Sequence, residues 1–320
     1  MIKKIPIPLA GVMLGFAALG NLLQSYSESV RLICGIISAI LGLLLICKFI
    51  LYPSMIKEDM KNPIMASVAG TFSMAIMLLA AYIKPYMGPS AIYIWYLGIV
   101  LHIILIIYFT MNFIFKFDIK KVFTSYFIVY VGIAVASISA PAFEKTNIGT
   151  FAFWFGFISC MILLVVITYR YIKYKEIPKP AQPLFCIYAA PVSLCLAGYT
   201  QSVQSKSLLM ISFLAILSLI IYIIVLCKLP KYLTMPFFPS YAAFTFPLVI
   251  SGISMKMTMA YLNNVGYSIS FLNNMGYLIS FLNYIILLQT IIATVLVVYT
   301  LIRFAMFIIP VEKTAEKTTD

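Results

Sequence analysis

Acidic residues are the scarcest feature of this chain: nine Asp and Glu among 320 residues, against 22 Lys and Arg and a single histidine, His102. Charged residues of both signs make up only 10% of the sequence, far below the roughly 25% of soluble domains. That shortage excludes an acidic metal cage, a carboxylate pair for hydrolysis and a proton relay built from intramembrane acids, because Glu28, Glu58, Asp59, Asp118, Glu144 and Glu176 all fall in or beside connections. No Gly-rich phosphate loop, no H-E-x-x-H and no Ser/His/Asp set occurs, so an enzyme is not expected and no cofactor is implied. The six cysteines, Cys34, Cys47, Cys160, Cys186, Cys195 and Cys227, form no C-x-x-C pair and lie in apolar runs, which argues against disulfides and a zinc site. Basic residues are not interleaved with aromatics on a surface motif, so nucleic acid is not an expected partner.

Apolar residues are what the chain has. They make up 63% of it, and the mean hydropathy is +1.07. Runs near or above the ~20 residues that cross a ~30 Å hydrocarbon core recur along the sequence. The reading is an all-α integral membrane protein with ten spans, about 8 to 26, 30 to 52, 64 to 83, 90 to 115, 121 to 142, 149 to 172, 183 to 200, 206 to 228, 238 to 262 and 277 to 309. No connection is long enough for a second domain, which leaves one transmembrane unit over 1–310 and a short polar tail, 311–320. Lys3 and Lys4 before the first run imitate a signal peptide. Pro6, Pro8 and the continuation to Leu23 favour an uncleaved first helix instead.

With ten spans, only Arg31, Lys84, Lys145, Lys206 and Lys256 fall on one side, and the other 17 basic residues fall on the opposite side. The positive-inside rule makes the richer side cytoplasmic, with both termini inside and the plasma (inner) membrane as the location. An odd number of spans would destroy this asymmetry.

Odd and even spans differ in kind. Even spans are plain lipid-grade sequence such as LLMISFLAILSLIIYIIVL, whereas odd spans carry Gly, Ala, Ser, Thr and Pro, as in PIPLAGVMLGFAALGN, NPIMASVAGTFSMAI and FPSYAAFTFPLVISGIS. Small residues let backbones approach closely, and their hydroxyls can line a polar path; tight packing without a conduit explains them equally well. The alternation predicts five tandem helical hairpins, each giving one inner and one outer helix, around a quasi-fivefold central pore. Pro191 and Pro247 are expected to bend their helices by freeing a carbonyl. Candidate pore-lining residues are Ser73, Ala136, Pro191, Ser193 and Ser251. Lys256 either concentrates anions at an outer vestibule or snorkels to the interface. His102, on an outer span, is expected to pack through hydrogen bonds rather than relay protons.

PIPLAGVMLGFAAL in the first span and AAFTFPLVISGISMK in the ninth, with weaker echoes at NPIMAS and AAPVSLCLAGY, resemble the tellurite-resistance and C4-dicarboxylate transporter family, whose relatives include the slow anion channels of plant guard cells. The resemblance implies a homotrimer in membrane lipid, each protomer with its own pore walled by the five odd helices and blocked from within by a phenylalanine of the ninth span. Carried onto this sequence, the gate falls on Phe246. Phe244 is the competing register, roughly 200° round a continuous helix. Gly15 is the small residue against which the ring swings, and Pro247 frees a local hinge. Met13 stands where relatives tend to have proline, and the tandem YLNNVGYSIS, FLNNMGYLIS at 261–280 is foreign to the family and reads as a lengthened outer loop. The implied function is a gated channel for small inorganic anions such as chloride and nitrate; the alternatives are a carrier of C4-dicarboxylates, sulfite or tellurite-related oxyanions, and a membrane scaffold or sensor without flux.

Overall fold

The computed structural model describes residues 2–264 and 276–309; the tail and the greater part of the 261–280 tandem lie outside the described residues. Ten main helical segments follow one another along the described residues. They are α1 (Leu9–Leu23), α2 (Glu28–Leu51), α3 (Pro63–Met87), α4 (Ala91–Phe109), α5 (Tyr126–Phe143), α6 (Thr146–Lys173), α7 (Lys179–Ser202), α8 (Leu208–Leu233), α9 (Pro239–Asn263) and α10 (Gly276–Ile308). A short helix, Pro53–Asp59, leads from α2 into α3. Among the described residues there is no strand, and the chain is an all-α, multi-pass membrane protein.

Local chemistry sets the boundaries. Asn62 caps α3, its Oδ1 accepting from the amides of Ile64 (2.9 Å) and Met65 (3.3 Å), and Pro63 follows at the first helical position, where no amide donor is needed. Ser27 caps α2 through Val30 N.

Odd helices form a closed ring in the order α1, α3, α5, α7, α9 and back to α1. Each even helix packs outside, against its own hairpin partner and the next odd helix. Burial follows the same division. Of the 15 residues of α1, 13 are buried, whereas α8 turns side chains such as Leu209 (81% exposed) outward to where lipid would lie. Small residues therefore sit where five helices crowd one axis, and bulky aliphatic ones where a helix has lipid for a neighbour.

Three inner segments are not continuous α-helices. In α5, 3-10 turns interrupt at Gly132–Ala134 and Ala140–Phe143; α7 begins as a 3-10 helix, Lys179–Tyr188, and α9 as another, Pro239–Phe244. This changes the meaning of two prolines. Pro191 is the third residue of the α-helical stretch Ala189–Ser202, and Pro247 the second of Phe246–Asn264. Both occupy first-turn positions whose amides would have no intrahelical partner, so they start α-helix after 3-10 rather than kink a helix midway.

Candidate functional site

All odd helices begin on one face of the molecule, and from that face a cavity of about 330 Å³ runs along the ring axis. All five inner segments wall it. The mouth is set by Pro8, Asn62, Pro178, Pro180 and Pro239, and the deepest lining residues are Gly11 on α1, Met74 on α3, Gly132 on α5, Leu194 on α7 and Phe246 and Pro247 on α9. No residue farther along any of these helices lines it, so the cavity occupies the half of the bundle nearest its mouth and stops at the level of Phe246.

Among the described residues, the wall carries no charged or titratable side chain. Its polar members are Asn62, Thr71 and Ser240; Asn62 Oδ1 is engaged in capping, and the Thr71 hydroxyl donates to Val68 O at 2.7 Å. On α7 the lining residues Ala181, Leu184 and Ile187 recur at every third position. In a 3-10 helix i and i+3 eclipse, so this stripe points one way.

Phe246 opens the α-helical part of α9, is 5% exposed and lines the cavity. Phe244 does not line it: that ring is fully buried and packs on Tyr241, centroids 4.7 Å apart. The break that parts the two rings is Thr245 (φ −95°, ψ −96°), between the 3-10 turn and the α-helix, so they separate without the continuous helix that a 200° rotation presumes.

Thr245 is held by α1. Its hydroxyl lies 2.8 Å from Gly11 O and 2.7 Å from Ala242 O. A Cβ on Gly11 would stand 2.9 Å from Ala242 Cβ, and one on Gly15 would stand 2.5 Å from Thr245 Cβ and 3.4 Å from Phe246 N. Both glycines are thus required by close approach of α1 to the start of α9, the use that G-x-x-x-G spacing serves between membrane helices. The family resemblance points to Gly15 but not to Gly11 or Thr245, although the four-residue spacing of the glycines is a usable signal.

The serines have other work. Ser73 Oγ lies 2.8 Å from His102 Nδ1, and His102 Nε2 donates to Val129 O (3.0 Å), so the histidine of α4 ties α3 to α5 behind the wall. Ser193 and Ser251 lie 3.2 Å apart, oxygen to oxygen, and Ser251 also donates to Ala189 O, joining α7 to α9. Ala136 is fully buried. None of Ser73, Ala136, Ser193 and Ser251 lines the cavity, whereas Pro191 and Pro247 do.

On the opposite face, Lys256 donates to Leu22 O at 2.8 Å and to Ser25 Oγ, and its ammonium lies 4.8 Å from the Tyr26 ring centre. It borders an open depression of about 430 Å³ lined also by Asn21, Gln24 and Ile253. Capping the last carbonyls of α1 with a cation suits the negative end of that helix.

Near the cavity-mouth face, the Arg170 guanidinium is 2% exposed yet has no carboxylate partner among the described residues. It donates to Lys120 O (3.2 Å), Tyr174 O (3.3 Å) and Glu176 O (3.4 Å), between the rings of Phe123 and Tyr171. Those carbonyls belong to the connections that lead into α5 and α7.

Among the described residues no cluster of His, Cys, Asp and Glu able to hold a metal occurs. No curated protein matches the chain. Ten helices in five inner-outer pairs, a ring that closes on itself and an uncharged axial cavity agree with what a comparison with protein families finds: residues 4–306 match the voltage-dependent anion channel family, SLAC1, and the chain belongs to it.

Proposed function

We propose that the protein is a gated channel for small monovalent anions, chloride and nitrate among them, that the path follows the ring axis of each protomer, and that the Phe246 ring blocks it. The observation that carries this is the termination of the axial cavity at Phe246. A greasy ring across a narrow path leaves no room for a hydrated ion and raises the barrier, as hydrophobic constrictions do. Five inner helices present their N-terminal, positive ends at the mouth, and no acid lies within an inner segment, so an anion meets favourable dipoles and no fixed repulsion. The basic face is the cytoplasmic one in this reading, with both termini on it, the plasma (inner) membrane as location and a homotrimer as the assembled form; 1–310 is a single transmembrane unit and 311–320 its tail. No catalytic step is assigned to it.

A carrier of C4-dicarboxylates, sulfite or tellurite-related oxyanions would need a cation at the binding depth to pair with a divalent substrate. Among the described residues no Lys or Arg lines the cavity. The test is electrical: anion current from Phe246→Ala against the wild type in planar bilayers.

A further inference from the structure

We propose that Thr245 is the positioning residue that holds Phe246 across the axis, and that its hydroxyl bond to α1 is the latch that keeps the path closed. The inference rests on the reading of Phe246 as the block. Phe246 is the first residue of the α-helical stretch, so the direction in which its backbone enters the helix is set by the residue before it. Thr245 is that residue, and it belongs neither to the 3-10 turn Pro239–Phe244 nor to the α-helix Phe246–Asn264. Its backbone is bonded to both neighbours, the amide donating to Ala242 O (3.2 Å) and the carbonyl accepting from Val249 N (3.2 Å), so the junction is a hinge between two helices. What α1 holds is the side chain: it is fully buried, its Cβ is seated against the bare backbone of Gly15, and its single hydroxyl proton is shared between Gly11 O at 2.8 Å and Ala242 O at 2.7 Å.

Among the described residues this is the only side-chain hydrogen bond between α1 and the segment from 239 to 250. The other polar ties of α9 to its neighbours run elsewhere: Tyr241 to the end of α8, Ser251 to α7 and Lys256 to the far end of α1. Breaking the Thr245 bond frees the approach to the ring while leaving the rest of the helix anchored. Two carbonyls compete for one proton, so rotation of the hydroxyl about its Cβ–Oγ1 bond exchanges an inter-helix bond for a local one. The latch thus has two hydrogen-bonded states.

The experiment compares Thr245→Val, which keeps the shape and removes the donor, with Thr245→Ser, which keeps the donor, each in the wild-type and Phe246→Ala backgrounds. Chloride current is recorded in planar bilayers from protein of matched melting temperature. The expected result is a roughly two- to tenfold rise for Thr245→Val, the weight of one hydrogen bond, and wild-type current for Thr245→Ser. In the Phe246→Ala background Thr245→Val adds nothing, because a latch has no effect once its ring is gone. Wild-type current from Thr245→Val, or an equal rise in both backgrounds, overturns the latch. Should valine fail to fold, Thr245→Ala carries the same expectations. An absence of current from Phe246→Ala refutes the block itself, whereas current from Phe246→Ala with none gained from Thr245→Val refutes only the latch.

Discussion

Gly15 of α1 lies so close to Thr245 of α9 that a single added methyl group would stand 2.5 Å from the Thr245 Cβ. No side chain fits there without moving the start of α9, and Phe246 N, 3.4 Å away, moves with it. Gly15→Ala is expected to cost about 1–3 kcal/mol through overpacking, read as a lower melting temperature of the detergent-solubilised protein. It should also alter anion current. An unchanged melting temperature would show that the two helices separate freely.

Permeation should not depend on pH. Among the described residues no titratable side chain lines the cavity, and His102, the one side chain whose ordinary pKa falls near neutrality, is fully buried with both ring nitrogens engaged. Current through Phe246→Ala, measured from about pH 5.5 to about pH 8, should be flat within about twofold. A steep titration would point to a proton-coupled site.

The Ser193 and Ser251 hydroxyls bind one another and Ala189 O outside the cavity. Ser193→Ala and Ser251→Ala should each cost about 0.5–1.5 kcal/mol of stability, less than additively in the double variant, and leave the ratio of chloride to nitrate permeability unchanged. A shifted ratio would place these hydroxyls on the permeation path.

Arg170 fastens three carbonyls from the connections that feed α5 and α7. Arg170→Gln should lose about 1–3 kcal/mol by removing a buried guanidinium's bonds to three part-buried carbonyls. Arg170→Lys should not restore it, because a point ammonium lacks the planar fork that spans them. Full rescue by lysine would show that charge alone matters there.

How much of this was legible in the sequence depends on the length scale of the signal. Ten spans and the odd/even division could be read because lipid and helix neighbours demand different side-chain sizes along whole helices, and burial of α1 against exposure of α8 follows that reading. Conversions to 3-10 helix were not legible. Pro191 and Pro247 looked like kinks within long helices because nothing local announces that the preceding turn is tighter. A hydroxyl on an inner helix suggests a wet face, which makes Ser73, Ser193 and Ser251 candidates for the path. None of them lines the cavity on the mouth side of Phe246, and each bonds a preceding-turn carbonyl, the ordinary fate of a hydroxyl in an apolar bundle. The cavity wall itself is largely Pro, Ala, Val, Ile, Leu and Met, residue types that carry no site signal.

In the proposed function the Phe246 ring closes the path along the ring axis. Chloride current through Phe246→Ala in a planar bilayer, under a chloride gradient, tests it most directly. The account predicts a current at least tenfold above wild type, the equivalent of about 1.4 kcal/mol or more of barrier removed, reversing near the chloride equilibrium potential. A folded, inserted Phe246→Ala that passes no more anion than the wild type would contradict it.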